Sequence, residues 1–488
     1  MKKILAVISA AVLLLSCSGK QAKVASDYQI SYEVSFDTTG KYLNVDMNYI
    51  PSVATGETTF RLPVWAPGYY IVVDYPKYLM DFNAADAEGN PLKWDKLEKN
   101  GWTVENAKEV HVSYRVLADS YSVAESRMDG KAAFVAPNGV FMHVENGVNH
   151  PVTVKFNAPA NWTKTSTALE KKGDNLYYAP DFDVLYDSPL LFGNHYVEVI
   201  EHNGHSYEFA VETPKGWEES PMAEDFLKAV DQAIELFGDT AYDSYTLLLM
   251  GAGGGGLEHQ ASQADYTSGH WDFDTRAEYL SMLKFLTHEF FHNYNVKAIR
   301  PAELVPFDYN KENYTTGLWV SEGVTCFYES TMLMRAGIIS EQEHFDYISG
   351  YIRDTESTPG RQHMSLRSSS YDIWLNFFNR NSNAHDAIIS YYVKGPVVAF
   401  LLDTEIRTAT NGEKSLDDVM RLLYNNCYKQ GKGFTEEGLW QTIESVGGAE
   451  VVQKMRRYVD TTDELDYESI LEPAGLTIDR NTWKITRK

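Results

Sequence analysis

The stretch TRAEYLSMLKFLTHEFFH, Thr275–His292, reads as a single helix and decides how the second half of the chain folds. Thr275 with Glu278 three positions on is a capping-box start. Tyr279, Leu283, Leu286 and Phe290 recur at helical spacing and make an apolar stripe that can face a core. His288 and His292 fall on a different face, four residues apart, so both imidazoles can reach one Zn2+ at ~2.0–2.1 Å. Glu289 stands beside them as a general base for a water. The pattern HExxH is short, and two satisfied histidines on a buried helix would read the same. The flanking sequence has to separate the two.

A catalytic zinc site needs a third protein ligand and an open position. Trp319-Val320-Ser321-Glu322-Gly323 opens a second predicted helix, running to about Ala336 and stopped by Gly337. Glu322 is the third-ligand candidate; the competing reading is an acid paired with the helix dipole. Cys326 and Glu329 follow on the same face. Glu329, two turns along, can accept a hydrogen bond from a ligand histidine and so orient it, or be an ordinary paired acid. Cys326 reads as a buried free thiol.

Upstream, an apolar strand at Tyr245–Met250 runs into Gly251-Ala252-Gly253-Gly254-Gly255-Gly256. The run contains GxGxxG, but it continues through Leu257-Glu258-His259-Gln260 into polar sequence with no clear apolar helix, so the dinucleotide-fold reading fails on context. No Gly-Lys-Ser/Thr follows, so it is not a phosphate loop. Gly255 and Gly256 suit a strand edge approached by a substrate backbone, with Glu258 available to anchor a cation. From 27 to about 212, short alternating runs broken by Gly, Asn and Pro turns predict a β-sandwich-like domain. Helical periodicity begins at 222–237 and dominates after 276; the last helical stretch expected is Thr435–Val459. The expected units are therefore residues 27–212, 213–425 and a C-terminal helical region, 426–488.

The N-terminus looks like an address. Lys2 and Lys3 precede an apolar run, Ile4–Leu15, too short to span a bilayer and ending in Leu14-Leu15-Ser16-Cys17. That resembles a bacterial lipobox, so residues 1–17 read as a lipoprotein signal with Cys17 the lipidated residue. Residues 18–26 follow as a small, polar tether. No second long apolar stretch is evident, so the expectation is an exported protein held to the cell envelope by its lipid alone. The 68 acidic and 43 basic side chains leave a charge of −25, nearer −27 after loss of two lysines, which argues against a nucleic-acid partner. At 23% charged and 44% hydrophobic residues, wholesale disorder is excluded. The 32 tyrosines favour strands.

Strand–GGGGLEH, HEFFHNYNVKAIRP, LWVSEG and YYVKGPVVAFLLDTEIR, in this order, with PVWAPGYY at 63–70, resemble the glycyl aminopeptidase family of zinc metallopeptidases. That family is related to aminopeptidase N and leukotriene A4 hydrolase. The resemblance spans most of residues 27–430. It implies an α+β multidomain protein, a β-rich N-terminal domain preceding a thermolysin-like zincin domain with a helical C-terminal part. By it, His288, His292 and Glu322 match the ligands of one Zn2+, and Glu289 the base. Glu258 matches the residue that binds a substrate's free α-amine, with His259 where relatives carry Asn. Tyr392, in Tyr392-Val393-Lys394-Gly395, matches the oxyanion-stabilising tyrosine, with Tyr391 its register rival. The implied activity is removal of small N-terminal residues, Gly or Ala, from peptides with free N-termini. A zinc endopeptidase with the same ligands, and a non-catalytic surface binding lipoprotein, are the alternatives. The sequence after the matched region is too short for the PDZ domain many relatives carry.

Overall fold

The computed structural model describes residues 28–52, 56–377 and 381–488. The expected leader, Cys17 and tether lie outside the described residues.

The N-terminal domain is built on a seven-stranded sheet centred on Tyr28–Asp37 and Tyr42–Pro51, which pair antiparallel over their full ten residues. Alternation sets the faces: Val34, Leu43, Val45, Met47 and Val112 turn inward, polar neighbours outward. Two four-stranded sheets, including Glu57–Arg61 with Gly101–Glu105 and Ala133–Val135 with Leu190–Gly193, share that core through Phe60, Val104, Phe134 and Leu191. The expected sheet-rich domain is present.

The second region carries a five-stranded sheet in the order Tyr196–His202, His205–Val211, Ser244–Ala252, Ser262–Thr267, Gly256–Glu258. The hairpin 196–211 falls on the N-terminal side of the boundary expected at 212. Yet His205–Val211 pairs in parallel with Ser244–Ala252, so the sheet runs across that boundary. The reason is that a hairpin's own alternation is the same in either domain, and the parallel partner lies beyond an intervening helix, Met222–Phe237. Gly256–Glu258 forms the outer strand of this sheet.

Helices pack beneath. Arg276–Phe291 starts with the expected capping box, Thr275 and Glu278 bonding reciprocally. Trp319–Val324 is a π-helical turn leading into Thr325–Arg335, where an uninterrupted helix was expected; Gly337 stops it at φ 72°. Tyr391–Ala409 is the central buried helix. The stretch Ala384–Ala409 is long and apolar enough to cross a membrane, which the sequence reading did not single out. However, 72% of its most apolar window is buried, as in a core helix. At the C-terminus the expected single helix is two, Glu436–Gly447 and Ala449–Asp460, broken at Gly448 (φ 90°). A hairpin, Leu476–Asp479 with Lys484–Arg487, ends the chain.

Candidate active site

His288 lies in the last turn of helix Arg276–Phe291, and His292 is its C-cap residue, still helical at φ −60°. Their rings meet edge-on with centroids 4.6 Å apart, and their Nε2 atoms are 3.0 Å apart. The Glu322 Oε2 lies 3.2 Å from His292 Nε2 and 3.7 Å from His288 Nε2. Glu322 reaches this point because two glycines let backbones touch. A Cβ on Gly323 would stand 2.6 Å from the Gly395 Cα, and one on Gly395 2.7 Å from the Gly323 Cα.

The far side of each ring fixes its protons. His288 Nδ1 faces Glu329 Oε2 at 2.9 Å, and His292 Nδ1 faces the Asn295 carbonyl at 2.7 Å. Both partners are acceptors, so each Nδ1 carries a proton, and in the neutral ring each Nε2 presents a lone pair. With both rings neutral, three acceptors converge on one point, an arrangement that calls for a cation. Donors at ~2.0–2.1 Å around a tetrahedral zinc stand about 3.3 Å apart, which matches this triangle. The residues fit the metal.

Glu329 is itself supported. Its Oε1 accepts from Lys284 Nζ at 2.9 Å and from the Tyr351 hydroxyl at 2.7 Å. Burial opposes its charge, but Lys284 and His288 hold the carboxyl down at about 2. Likewise, burial opposes the charge of Glu322, and His292 and His288 keep it at about 2. Lys284 and Tyr351 were not foreseen; no local pattern links them to residue 329. Cys326 is a buried free thiol, its Sγ 3.8 Å from His288 Nδ1.

Glu289 is buried between the metal triangle and the outer strand. Burial first, then the charges of Glu258 and Glu322, push its carboxyl up to about 7 against the pull of the two imidazoles. Side-chain atoms of Glu258, Glu289 and His292 lie within 4.8 Å of one another. Glu258 is 4% exposed, and its Oε1 has no hydrogen-bond partner among the described residues. An unpaired buried carboxylate at a cleft suits a cationic ligand group.

Glycines press against both acids. A Cβ on Gly256 would meet Glu289 Oε1 at 2.4 Å, and one on Gly68 would meet Glu258 Oε1 at 2.4 Å. Gly255 holds φ 96° at the start of the strand. Gly68 belongs to PVWAPGYY, so the N-terminal domain forms part of this wall. Val64, Trp65 and Tyr70 pack into the second region's core, and the Trp65 Nε1 donates to the Asp308 carbonyl at 2.8 Å. His259 turns away and its Nδ1 faces Asp187 Oδ1 at 3.1 Å.

Tyr391 and Tyr392 open helix Tyr391–Ala409, with ring centroids 4.8 Å apart. Burial, and after it the Glu322 charge, pushes both phenols well above their ordinary range. Tyr391 is fully buried and its hydroxyl has no well-placed partner among the described residues; Tyr392 is partly exposed.

A model of the M61 peptidase N-terminal domain matches residues 31–194, and one of the M61 glycyl aminopeptidase matches residues 281–398. No curated protein matches the sequence. Among solved structures, an aminopeptidase N family protein from Idiomarina loihiensis is 26% identical with a TM-score of 0.86. The match covers 92% of this chain and 79% of that one. An M1 zinc metallopeptidase from Deinococcus radiodurans is 11% identical with a TM-score of 0.57, covering 90% and 94%. A Legionella pneumophila aminopeptidase A in complex with aspartic acid is 15% identical with a TM-score of 0.56, covering 89% and 49%. The last two speak to the fold alone.

Proposed function

The chain belongs to the M61 glycyl aminopeptidase family and is a peptidase, and from that premise we propose that it is a zinc-dependent aminopeptidase acting on small N-terminal residues. The observation that carries this reading is the pairing of two features. One is the close triangle of His288, His292 and Glu322; the other is the buried Glu258 carboxylate beside it, whose Oε1 has no hydrogen-bond partner among the described residues. Zinc held by that triangle supplies Lewis-acid polarisation of the scissile carbonyl and acidifies water. Glu289 takes the proton of the attacking water and passes it to the leaving amine. Its rise to about 7 suits a group that must both accept and release a proton. Glu258 holds the α-ammonium, so the cut falls after the first residue. Tyr392 donates a hydrogen bond to the tetrahedral oxyanion, a contribution of roughly 2.7–4 kcal/mol for such donors. Peptides with free N-termini are the substrates; no nucleic acid is bound.

On sequence grounds we also propose that the protein is exported and anchored to the envelope through a lipid on Cys17.

The test is metal analysis together with a pair of chromogenic substrates. Purified protein is expected to carry one zinc per chain and to cleave Ala-p-nitroanilide but not its N-acetyl form. Equal cleavage of both would make it an endopeptidase, and no cleavage with no zinc would leave a binding protein.

A further inference from the structure

Asp187 takes no part in the chemistry above, yet its half-buried carboxylate touches two segments of the site at once. Its Oδ1 accepts from Lys297 Nζ at 2.7 Å and faces His259 Nδ1 at 3.1 Å. Its Oδ2 accepts from the Gln260 backbone N–H at 2.7 Å. Lys297 is 3% exposed and His259 5%, so both are shielded from bulk solvent. A cation buried this deeply is tolerated only when paired. The pairing holds Asp187 well below the usual carboxylate range: burial opposes its charge, and Lys297 and His259 outweigh that.

Each segment adjoins a functional group. His259 and Gln260 directly follow Glu258, the amine anchor. Lys297 sits in the turn Asn293–Ala298 that continues the metal helix. Within that turn the Asn295 carbonyl accepts from His292 Nδ1. The Asn295 side chain donates to the Val320 and Ser321 carbonyls at 2.8 and 3.2 Å, next to Glu322. The Asn293 side-chain amide donates in turn to the Gln260 carbonyl, closing the joint. Asp187 itself caps the short helix Phe182–Tyr186 of the N-terminal domain.

We propose that Asp187 is a positioning residue, through which the N-terminal domain fixes the distance between the amine anchor Glu258 and the metal ligands His292 and Glu322. The inference rests on the aminopeptidase reading. Removing the clamp deletes none of these groups but lets anchor and metal ligands drift relative to each other.

The experiment compares the zinc-loaded parent with Asp187→Asn, which keeps the shape but removes the charge and sets its NH2 against one of the donors that Asp187 accepts from. Kinetics on Ala-p-nitroanilide, zinc content, and amide hydrogen exchange of 256–260 and 293–298 are measured together. Expected are a loss of about 10–100-fold in kcat/KM with KM raised, one zinc per chain, and faster exchange in both segments. Helix Arg276–Phe291 should stay protected. Val34→Ala, in the distant N-terminal sheet core, should lower the melting temperature and leave kinetics and exchange in these segments unchanged. Should Asp187→Asn fail to fold, Asp187→Leu with Lys297→Met removes both charges and is expected to fold with the same kinetic loss. Parental kcat and KM in the folded variant, or unchanged exchange in both segments, would overturn the proposal. A parent inactive on this substrate overturns the aminopeptidase reading instead, and the exchange measurement then decides the joint alone.

Discussion

Gly256→Ala tests the proposed general base, Glu289, without substituting it. Gly256 lies outside the left-handed region, so alanine costs the backbone nothing special there. The added Cβ would stand 2.4 Å from Glu289 Oε1, 2.5 Å from its carboxyl carbon and 2.7 Å from Cγ. Ordinary contact begins at 3.4 Å, so the carboxylate must retreat by 1.0 Å, the difference between 3.4 and 2.4 Å. It is the free end of a side chain and can yield, so the protein folds and the disturbance falls on the proton acceptor. A misplacement of this size costs about 10²-fold, or about 2.7 kcal/mol at 1.36 kcal/mol per decade. The assay is kcat/KM on Ala-p-nitroanilide, with zinc content and the melting transition followed alongside. The expected result is a loss of about 10²-fold, mostly in kcat, with one zinc retained and little change in melting. Activity within a few-fold of the parent would refute the reasoning, because a base confined by Gly256 cannot survive the alanine in place.

Gly68→Ala applies the same pressure to Glu258, its Cβ falling 2.4 Å from Oε1, with left-handed strain added at φ 89°. KM for free-amine substrates should rise about 10-fold and stability should fall by about 1 kcal/mol, read by steady-state kinetics and urea titration. Glu329→Gln should weaken zinc about 10–100-fold by loosening His288, measured by competition with a chelator; unchanged affinity would leave Glu329 a merely structural acid. Tyr392→Phe should cost about 10²–10³-fold in kcat and Tyr391→Phe little; the reverse ranking would move the oxyanion role to Tyr391, whose buried hydroxyl has no well-placed partner among the described residues.

What the sequence revealed was what short-range geometry dictates. The i, i+4 spacing of His288 and His292 and the Thr275–Glu278 box are properties of one helix, and they appear as read. Glu322 was legible from its helical start and Glu329 from its two-turn offset. Gly255 and Gly256 were legible as a close approach, but not that Glu289 is what Gly256 meets, since strand and helix come together only by tertiary packing. Gly68, Lys284, Tyr351 and Asp187 were missed for the same reason: each acts on a residue from which at least 22 positions separate it, and no period records such a pairing. The hairpin 196–211 shows the limit from the other side. Its strands were visible, but which sheet they join depends on parallel pairing across a helix.

The central claim is that His288, His292 and Glu322 hold a zinc beside a proton-accepting Glu289. The most direct test is zinc content and Ala-p-nitroanilide turnover measured together on the parent and on Glu289→Gln. The account predicts one zinc per chain in both proteins, with turnover in the variant reduced by about 10²–10⁴-fold. Parental turnover by Glu289→Gln, or an active parent without zinc, would contradict it.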